Sequence, residues 1–169
     1  MTPDASAVVT RPAVSADFDA MVTLQSRAFG PGRFARTAYR VREGGPDLSP
    51  FCRVAIIGER LVAALRMTPI TIGGDAGALL LGPLAVDPEE AGRGYGRQLV
   101  AESLEVAAAK GLKLILLVGD MTYYGRFGFR PVPPGQIRLP GPVDPSRLLA
   151  AEVQPGALAT IHGLVARAA

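Results

Sequence analysis

Apolar residues along the chain fall into runs of strand length, separated by short polar or glycine-rich turns. The runs Arg53–Ile57, Leu61–Ile72 and Ala78–Val86 predict three strands. Gly58-Glu59-Arg60 joins the first two, and Gly73-Gly74-Asp75 joins the last two. Turns this short connect antiparallel strands. The pattern therefore predicts an antiparallel meander in the middle of the chain.

Apolar residues at helical spacing predict three helices, over about Ala16–Ala28, Arg33–Glu43 and Gly92–Lys110. Ser15 is a suitable N-cap for the first helix, and Gly111 ends the third. The side chains predicted to face the core are Phe18, Met21, Val22, Leu24 and Ala28 in the first helix, and Leu99, Val100, Ser103, Leu104, Ala107 and Ala108 in the third. The meander is thus flanked by helices in the sequence.

The remaining apolar runs complete a mixed sheet. Leu114–Val118 predicts a buried strand, and the intervening helix makes it parallel to Ala78–Val86. Val8-Val9 predicts an edge strand, and Leu148–Val153 and Ala157–Ala166 predict two more near the C-terminus. The predicted fold class is α/β, or α+β with a mixed sheet: an antiparallel meander, then a parallel strand pair, with helices on both faces.

Length and composition agree with one domain spanning residues 1–169. Hydrophobic residues make up 49% of the chain, enough for a single well-buried core. No apolar stretch reaches the roughly twenty residues of a membrane helix, and the N-terminus has Asp4 and no basic-then-apolar leader. We therefore expect a soluble, cytoplasmic protein with no membrane partner.

Charge and metal-ligand content narrow the possible partners. The formal net charge is +3, and no basic run is interleaved with aromatic residues, so we expect no nucleic-acid partner. Arginines recur at near-helical spacing at Arg33, Arg36 and Arg40. They could form a solvated helix face or a basic face that binds an anion. A single cysteine, Cys52, and a single histidine, His162, cannot form a disulfide or a structural zinc site, so we expect no metal. Cys52 is expected in the core.

A glycine loop between Leu81 and Arg97 carries the strongest functional signal. The segment reads LGPLAVDPEEAGRGYGR: an apolar strand ends at Asp87-Pro88, and three alternating glycines, Gly92, Gly94 and Gly96, precede a helix. The unpaired N–H groups of a helix's first turn and its dipole favour a phosphate, and glycines let the backbone approach it. The alternatives are a phosphate site and a tight turn before an ordinary helix.

The spacing excludes two familiar phosphate sites. A nucleotide-hydrolase loop needs Lys-Ser/Thr after its last glycine, whereas Arg97-Gln98 follows Gly96. A dinucleotide fingerprint requires a glycine where Arg97 stands. A nicotinamide-dependent oxidoreductase is therefore disfavoured. The chain also lacks a G-x-S-x-G elbow, which disfavours a serine hydrolase.

A second motif, Tyr123–Phe129, reads YYGRFGF and follows the next apolar run. Together the two segments resemble the GNAT superfamily of acyl-CoA-dependent N-acetyltransferases, in which a strand ending in V-x-P precedes Q/R-x-x-G-x-G/A at a helix start and then Y-x-x-x-G-F. Val86 and Pro88 match the strand end, and Tyr124 with Gly128-Phe129 matches the later motif. More weakly, the whole chain looks like a small bacterial subfamily of predicted acetyltransferases carrying LGPLAV and GDxxYYxRFGF segments.

The resemblance implies where acetyl-CoA would bind. In the family, the parallel strands splay and pantetheine hydrogen-bonds to the first strand, which here implies the main chain of Leu84, Ala85 and Val86. The pyrophosphate loop would comprise Ala91, Gly92, Arg93, Gly94, Tyr95, Gly96 and Arg97. Ala91 departs from the usual Gln or Arg, so phosphate recognition would rest on backbone N–H groups, with charge from Arg93 or Arg97.

The resemblance also implies a reaction, acetyl transfer to a primary amine of an unidentified small molecule or peptide by direct attack on the thioester. A backbone N–H near Val86 would stabilise the oxyanion. Tyr124 would be the catalytic residue that protonates the departing sulfur, its alternative being a structural tyrosine. Tyr123 would point elsewhere and pack. The enzyme would use acetyl-CoA as co-substrate and act as a monomer or homodimer.

The sequence supplies no evident general base. The strand LLLGPLAV carries no carboxylate, whereas many relatives have a glutamate there. Glu43, Asp47 and Asp75 are candidates by loop position alone, and His162 is more typical of a structural histidine. The acceptor could also bind as the free amine. The missing base and Ala91 leave one alternative function, an acyl-CoA-binding module with little or no transferase activity.

Overall fold

Nine strands and five α-helices follow one another along the described chain. The computed structural model describes residues 7–29, 37–43, 45 and 48–168. The strands are β1 (Val8–Pro12), β2 (Arg53–Ile57), β3 (Arg60–Ile72), β4 (Asp75–Val86), β5 (Leu114–Val118), β6 (Arg130–Pro131), β7 (Ile137–Arg138), β8 (Leu148–Glu152) and β9 (Gly163–Arg167). The helices are α1 (Phe18–Phe29), α2 (Thr37–Arg42), α3 (Tyr95–Ala109), α4 (Met121–Tyr124) and α5 (Ala157–Thr160). Arg33, Arg36 and Asp47 lie outside the described residues.

The strands form a mixed sheet with the order β1-β2-β3-β4-β5-β8-β6. The meander β2-β3-β4 is antiparallel, and β4 and β5 are parallel across the α3 crossover, as predicted. At the far end of β3, β9 adds an antiparallel neighbour and pairs in parallel with β7. This topology confirms the predicted fold class.

Side-chain alternation along the central strands divides the core between the two faces of the sheet. On one face, Leu79 and Ile115 pack with Leu99 and Val100 of α3. On the other face, Leu80 and Leu116 pack with the C-terminal segments. Helix α1 places Met21 and Leu24 against Val54, Ala64 and Ala85. Both faces of the sheet are thus covered, and the central strands read as nearly continuous apolar runs for that reason.

The structure corrects several predicted boundaries. Helix α3 begins at Tyr95 rather than Gly92, and β4 begins at Asp75 rather than Ala78. The predicted strand Ala157–Ala166 is wrong in its first half, which forms the helical turn α5 after Gly156. Short apolar runs cannot by themselves distinguish a strand from a helix.

Two predicted core positions on the helices are also wrong. Ala28 and Ala108 are exposed, whereas Gln25 of α1 is buried. Cys52 is buried, as predicted. None of the described helices is long and apolar enough to cross a membrane.

Candidate active site

The parallel strands β4 and β5 separate at the centre of the sheet. Their ladder consists of Ala78–Leu80 paired with Leu114–Leu116. Beyond it, β4 runs on to Val86 beside β3, whereas β5 stays with β8 as far as Val118. The two strands are therefore not paired with each other at their C-terminal ends, and we refer to the region between these ends as the opening. The predicted pantetheine-binding residues Leu84, Ala85 and Val86 lie along its β4 edge.

A bulge in β4 begins this separation. Gly82 and Pro83 together oppose the single residue Arg66 of β3. Gly82 has φ +125°, which disfavours any residue with a side chain, and its carbonyl accepts a 2.7 Å hydrogen bond from Nη1 of Arg42 on α2. A bulge bends its strand and increases the local twist. The sequence GP within LLLGPLAV is therefore the local cause of the bulge in β4.

The glycine loop follows β4 and leads into α3. Gly92 and Gly94 have φ +82° and +83°, and a Cβ at either position would meet no atom within 4 Å. Gly94 is the N-cap of α3, and the first N–H to bond within the helix is that of Gln98, which donates to the Gly94 carbonyl. The first-turn N–H groups before Gln98 are thus directed out of the helix N-terminus. Open glycines beside these N–H groups suit a phosphate.

Gly96 places the start of α3 against the end of β4. A Cβ at this position would lie 3.2 Å from Cγ2 of Val86, 3.5 Å from Cδ2 of Leu84 and 3.0 Å from Oη of Tyr123. Gly96 is therefore required for a different reason than Gly92 and Gly94. The absence of a side chain at Gly96 allows α3, β4 and Tyr123 to pack closely, whereas Gly92 and Gly94 adopt a positive φ.

A buried aspartate anchors the root of the glycine loop. Asp87 accepts a 3.0 Å hydrogen bond from the Glu89 N–H and ion pairs with Arg27 of α1 at 3.2 Å and Arg60 of β3 at 3.5 Å. The Glu89 N–H and the two guanidiniums hold the pKa of the Asp87 carboxyl below its usual range, against the opposing effect of burial. The loop is thereby fixed to both the first helix and the β2–β3 turn.

The two arginines of the loop occupy different electrostatic settings. Arg93 ion pairs with Glu90 at 3.2 Å, and Glu90 also pairs with Arg60 at 2.6 Å. Arg97 is exposed on the first turn of α3, and its guanidinium has no ion pair within the described part of the chain. The sequence alone did not indicate which of the two arginines would contact a phosphate. Among the residues that the structure describes, Arg97 is the one whose charge is not paired with a carboxylate.

Tyr124 lies on α4, immediately beyond the end of β5. Its ring makes edge contacts with Tyr123 at 4.8 Å and Phe129 at 5.8 Å between centroids. A Cβ at Gly119 would lie only 2.7 Å from Cε2 of Tyr124, so a glycine there is needed to seat the ring. Gly119 is the first residue of the GDxxYYxRFGF segment, but the sequence alone gave it no role. The available signal was a glycine directly between an apolar strand and the YYGRFGF motif.

The environment of Tyr124 keeps its hydroxyl protonated. Burial, followed by smaller contributions from Tyr123 and Asp120, raises the pKa of Tyr124 to about 12. The group is therefore a proton donor throughout the neutral range. It is also a weaker acid, since two pKa units above an ordinary phenol make full proton transfer about 3 kcal/mol more costly.

The ring of Tyr123 packs edge-on against that of Tyr124, and its hydroxyl lies beside the glycine loop. Its hydroxyl approaches Gly96, and the guanidinium of Arg126 lies 5.4 Å from its ring centroid. Burial raises the pKa of the Tyr123 hydroxyl, while the charges of Arg97 and Arg126 oppose the shift. Tyr123 thus connects α4 with the N-terminus of α3, a contact that the sequence pattern did not indicate.

The structure disperses the carboxylates and the histidine considered as bases. Asp75 is exposed at the opposite end of β4 from Val86. Glu43 is exposed just after α2, and His162 is exposed between α5 and β9 rather than within a strand. Across 7–29, 37–43, 45 and 48–168, no three His, Cys, Asp or Glu residues group as metal ligands would.

Comparisons with known proteins agree with this geometry. A family model described as "Acetyltransferase (GNAT) domain" matches residues 9–132. The protein named "Uncharacterized N-acetyltransferase YhbS" from Escherichia coli K12 is 26% identical over 163 residues, covering 94% of this chain and 95% of that protein. The protein named "Uncharacterized N-acetyltransferase YjhQ" from the same strain is 30% identical over 111 residues, covering 64% of this chain and 61% of that protein.

Solved structures are similar over nearly the whole chain. The crystal structure of Escherichia coli YhbS in complex with CoA superposes with a TM-score of 0.83, covering 99% of this chain and 93% of that one. A GNAT family acetyltransferase from Brucella melitensis, solved with acetyl-CoA, has a TM-score of 0.74 at 24% identity, with 97% of each chain covered. These matches confirm the resemblance drawn from the motifs.

Proposed function

We propose, because the chain belongs to the GNAT family of acetyltransferases, that it moves the acetyl group of acetyl-CoA to a primary amine by direct attack of the amine on the thioester. Residues 1–169 would act as one domain in the cytoplasm. The observation that carries the proposal is that the β4–β5 ladder ends at Leu80 and Leu116, after which β4 continues to the glycine loop and β5 to the helix that carries Tyr124. One elongated co-substrate could contact all three.

The binding part of the proposal rests on backbone groups. Pantetheine would bond to the main chain at Leu84, Ala85 and Val86 as an added strand would. The pyrophosphate would lie at Ala91–Arg97, where two open positive-φ glycines precede the unpaired N–H groups of α3. That YhbS was solved with CoA supports this assignment. Arg97 would supply the charge that Ala91 cannot, while Arg93 would remain paired with Glu90.

The chemical part rests on the two ends of the opening. A backbone N–H near Val86 would stabilise the oxyanion that develops as the amine attacks. Tyr124 would donate a hydrogen bond to the sulfur and, as the C–S bond breaks, its proton. Its raised pKa supports the role of a permanently protonated donor, with proton transfer late in the step.

The alternative, an acyl-CoA-binding module without turnover, remains supported by the absence of a carboxylate on the strand Leu79–Val86. The two functions differ in one measurable product, free coenzyme A. Both predict acetyl-CoA binding, and only the transferase releases thiol when an amine is added.

The test is an acceptor screen with thiol detection, covering polyamines, amino acids, aminoglycosides and peptide N-termini. Acetyl-CoA affinity is measured in parallel by calorimetry. Thiol release that requires one amine class supports the transferase. Binding of acetyl-CoA without release for any amine favours the binding module, and absence of binding contradicts both.

A further inference from the structure

Asp120 lies two residues beyond the C-terminal end of β5, at the N-cap of the helix that carries Tyr124. The Gly119 N–H donates to the Arg147 carbonyl at 2.9 Å, which ties this point of the chain to the β8 side. The Asp120 carbonyl accepts the N–H groups of Tyr123 and Tyr124, at 3.1 and 2.9 Å. The N-cap position of Asp120 is therefore set by backbone bonds that leave its side chain uninvolved.

The carboxylate of Asp120 does not make the bond expected of its position. An aspartate at an N-cap normally accepts a backbone N–H two or three residues on. Asp87 and Asp144 are the N-caps of the 3₁₀ helices Pro88–Glu90 and Pro145–Arg147, and their carboxylates accept from Glu89 at 3.0 Å and Ser146 at 2.9 Å. Asp120 makes no side-chain cap bond to α4 and is exposed. Its carboxylate is therefore available to an outside donor.

Three other carboxylates near the glycine loop and on α3 already have cationic partners. Asp87 pairs with Arg27 and Arg60, and Glu90 pairs with Arg60 and Arg93. Glu102 of α3 pairs with Arg53. The side chain of Asp120 has no ion pair or hydrogen bond within the part of the chain that the structure describes.

Asp120 is also electrostatically coupled to the proposed acid. It precedes Tyr124 by four residues, one helical turn, and its charge contributes to the raised pKa of that hydroxyl. A cation bound at Asp120 would therefore lie close to the hydroxyl that is proposed to protonate the leaving sulfur.

We propose that Asp120 binds the protonated amine of the acceptor and removes one of its protons. This inference rests on the proposed transferase function. The ammonium gives a proton to the Asp120 carboxylate, and the neutral nitrogen forms a C–N bond to the thioester carbon. As the C–S bond breaks, the sulfur takes the proton of the Tyr124 hydroxyl. The nitrogen then loses its second proton to the Tyr124 phenolate, which becomes a neutral hydroxyl again. Asp120 then releases its proton to water, so the products are the amide, coenzyme A thiol and one proton.

The proposal identifies a substrate class. A carboxylate selects an acceptor that is cationic at neutral pH, an aliphatic primary ammonium, over a neutral arylamine or a hydroxyl nucleophile. It also accounts for the absence of a carboxylate on β4, because the proton would be removed from the β5 side of the opening.

The experiment compares Asp120→Asn and Asp120→Glu, with Asp144→Asn as the matched control. Asp144 is also an exposed N-cap aspartate, and its turn leads to Arg147. The acceptors are putrescine, lysine, kanamycin and a tripeptide amine. For the best of these, Asp120→Asn should lower kcat/KM about 10²-fold, Asp120→Glu should recover at least about tenfold of that loss, and Asp144→Asn should match the wild type.

Calorimetry should give acetyl-CoA affinities within about twofold of the wild type for all three variants. Wild-type kcat/KM in Asp120→Asn would overturn the proposal while leaving the transferase function standing. A Glu variant no better than Asn, or a parallel loss of acetyl-CoA affinity, would show a structural role instead. No thiol release by the wild-type protein with any amine would overturn the transferase function, and this step with it.

Discussion

The two sides of the opening are built in different ways. On the β4 side, the candidate site consists of backbone: a bulged strand edge, two positive-φ glycines and the N-terminus of α3. On the β5 side, it consists of side chains carried by a four-residue helix, Tyr123 and Tyr124, with Asp120 at its N-cap. The first side suits recognition of a cofactor shared by a whole family, and the second suits chemistry and acceptor choice.

This difference has a consequence for mutation. Backbone sites are insensitive to most side-chain changes and sensitive to changes in glycine. Side-chain sites behave in the opposite way, since removal of one functional group can leave the fold intact. Binding and turnover should therefore separate between the β4 and β5 sides.

The largest expected effect is at Gly94. Gly94→Glu would place a side chain and a negative charge where the phosphate is proposed to bind, so acetyl-CoA affinity should fall by at least about 10²-fold. Gly156→Glu is the matched control, because Gly156 is also a helix N-cap with φ +85° and open space around it. Calorimetry on the folded variants checks this. Equal acetyl-CoA affinities for the two variants would show that the glycine loop is not part of the binding site.

The next largest effect is expected on the β5 side, where a substitution should lower turnover without changing acetyl-CoA affinity. Tyr124→Phe retains the ring that packs against Phe129 and Gly119 and removes the hydroxyl. Turnover should fall about 10²-fold, with little change in acetyl-CoA affinity. Tyr123→Phe is the comparison: its hydroxyl lies near Gly96, so any effect should be on affinity rather than turnover. Wild-type turnover in Tyr124→Phe would show that the Tyr124 hydroxyl is not the proton donor, and water would then have to protonate the sulfur.

A smaller effect should separate the two loop arginines. Arg97→Ala should weaken coenzyme A binding about tenfold, the scale of one charge-assisted hydrogen bond, whereas Arg93→Ala should weaken it less because Arg93 is held by Glu90. A pantetheine fragment without phosphates should bind all variants alike. The same loss for the fragment as for coenzyme A would mean that Arg97 does not act on a phosphate.

The β4 side was also the more predictable from sequence. The parallel pair and the glycine loop were predicted from local patterns, an apolar run and alternating glycines, whereas the bulge at Gly82-Pro83 was not predicted. Such preferences act between residues that are near in the chain. The family resemblance then predicted a catalytic role for Tyr124 on the β5 side, which stays a prediction.

What the sequence did not reveal depends on contacts between distant segments. The pairing of Asp87 with Arg27 spans 60 residues, and the approach of Tyr123 to Gly96 joins two helices. The Glu90–Arg93 pair is local, but nothing in the sequence distinguished it from a phosphate contact. The prediction of a strand over Ala157–Thr160 failed for a related reason, since tertiary packing decides the state of a short apolar run.

The smallest expected effect is the pH dependence of the β5 side. Because burial raises the pKa of Tyr124, its neutral form contributes fully to stability below the ordinary phenol pKa of about 10, and that contribution is lost as pH rises through about 12. Ultraviolet titration should detect a tyrosine ionising near pH 12 that is absent in Tyr124→Phe. Above about pH 10, wild-type melting temperature should fall more steeply than that of Tyr124→Phe, and at neutral pH the two curves should run parallel. A Tyr124 that ionised as an ordinary phenol would mean that water reaches the hydroxyl freely, and the β5 side would then lose the sheltered proton donor that distinguishes it from the backbone site opposite.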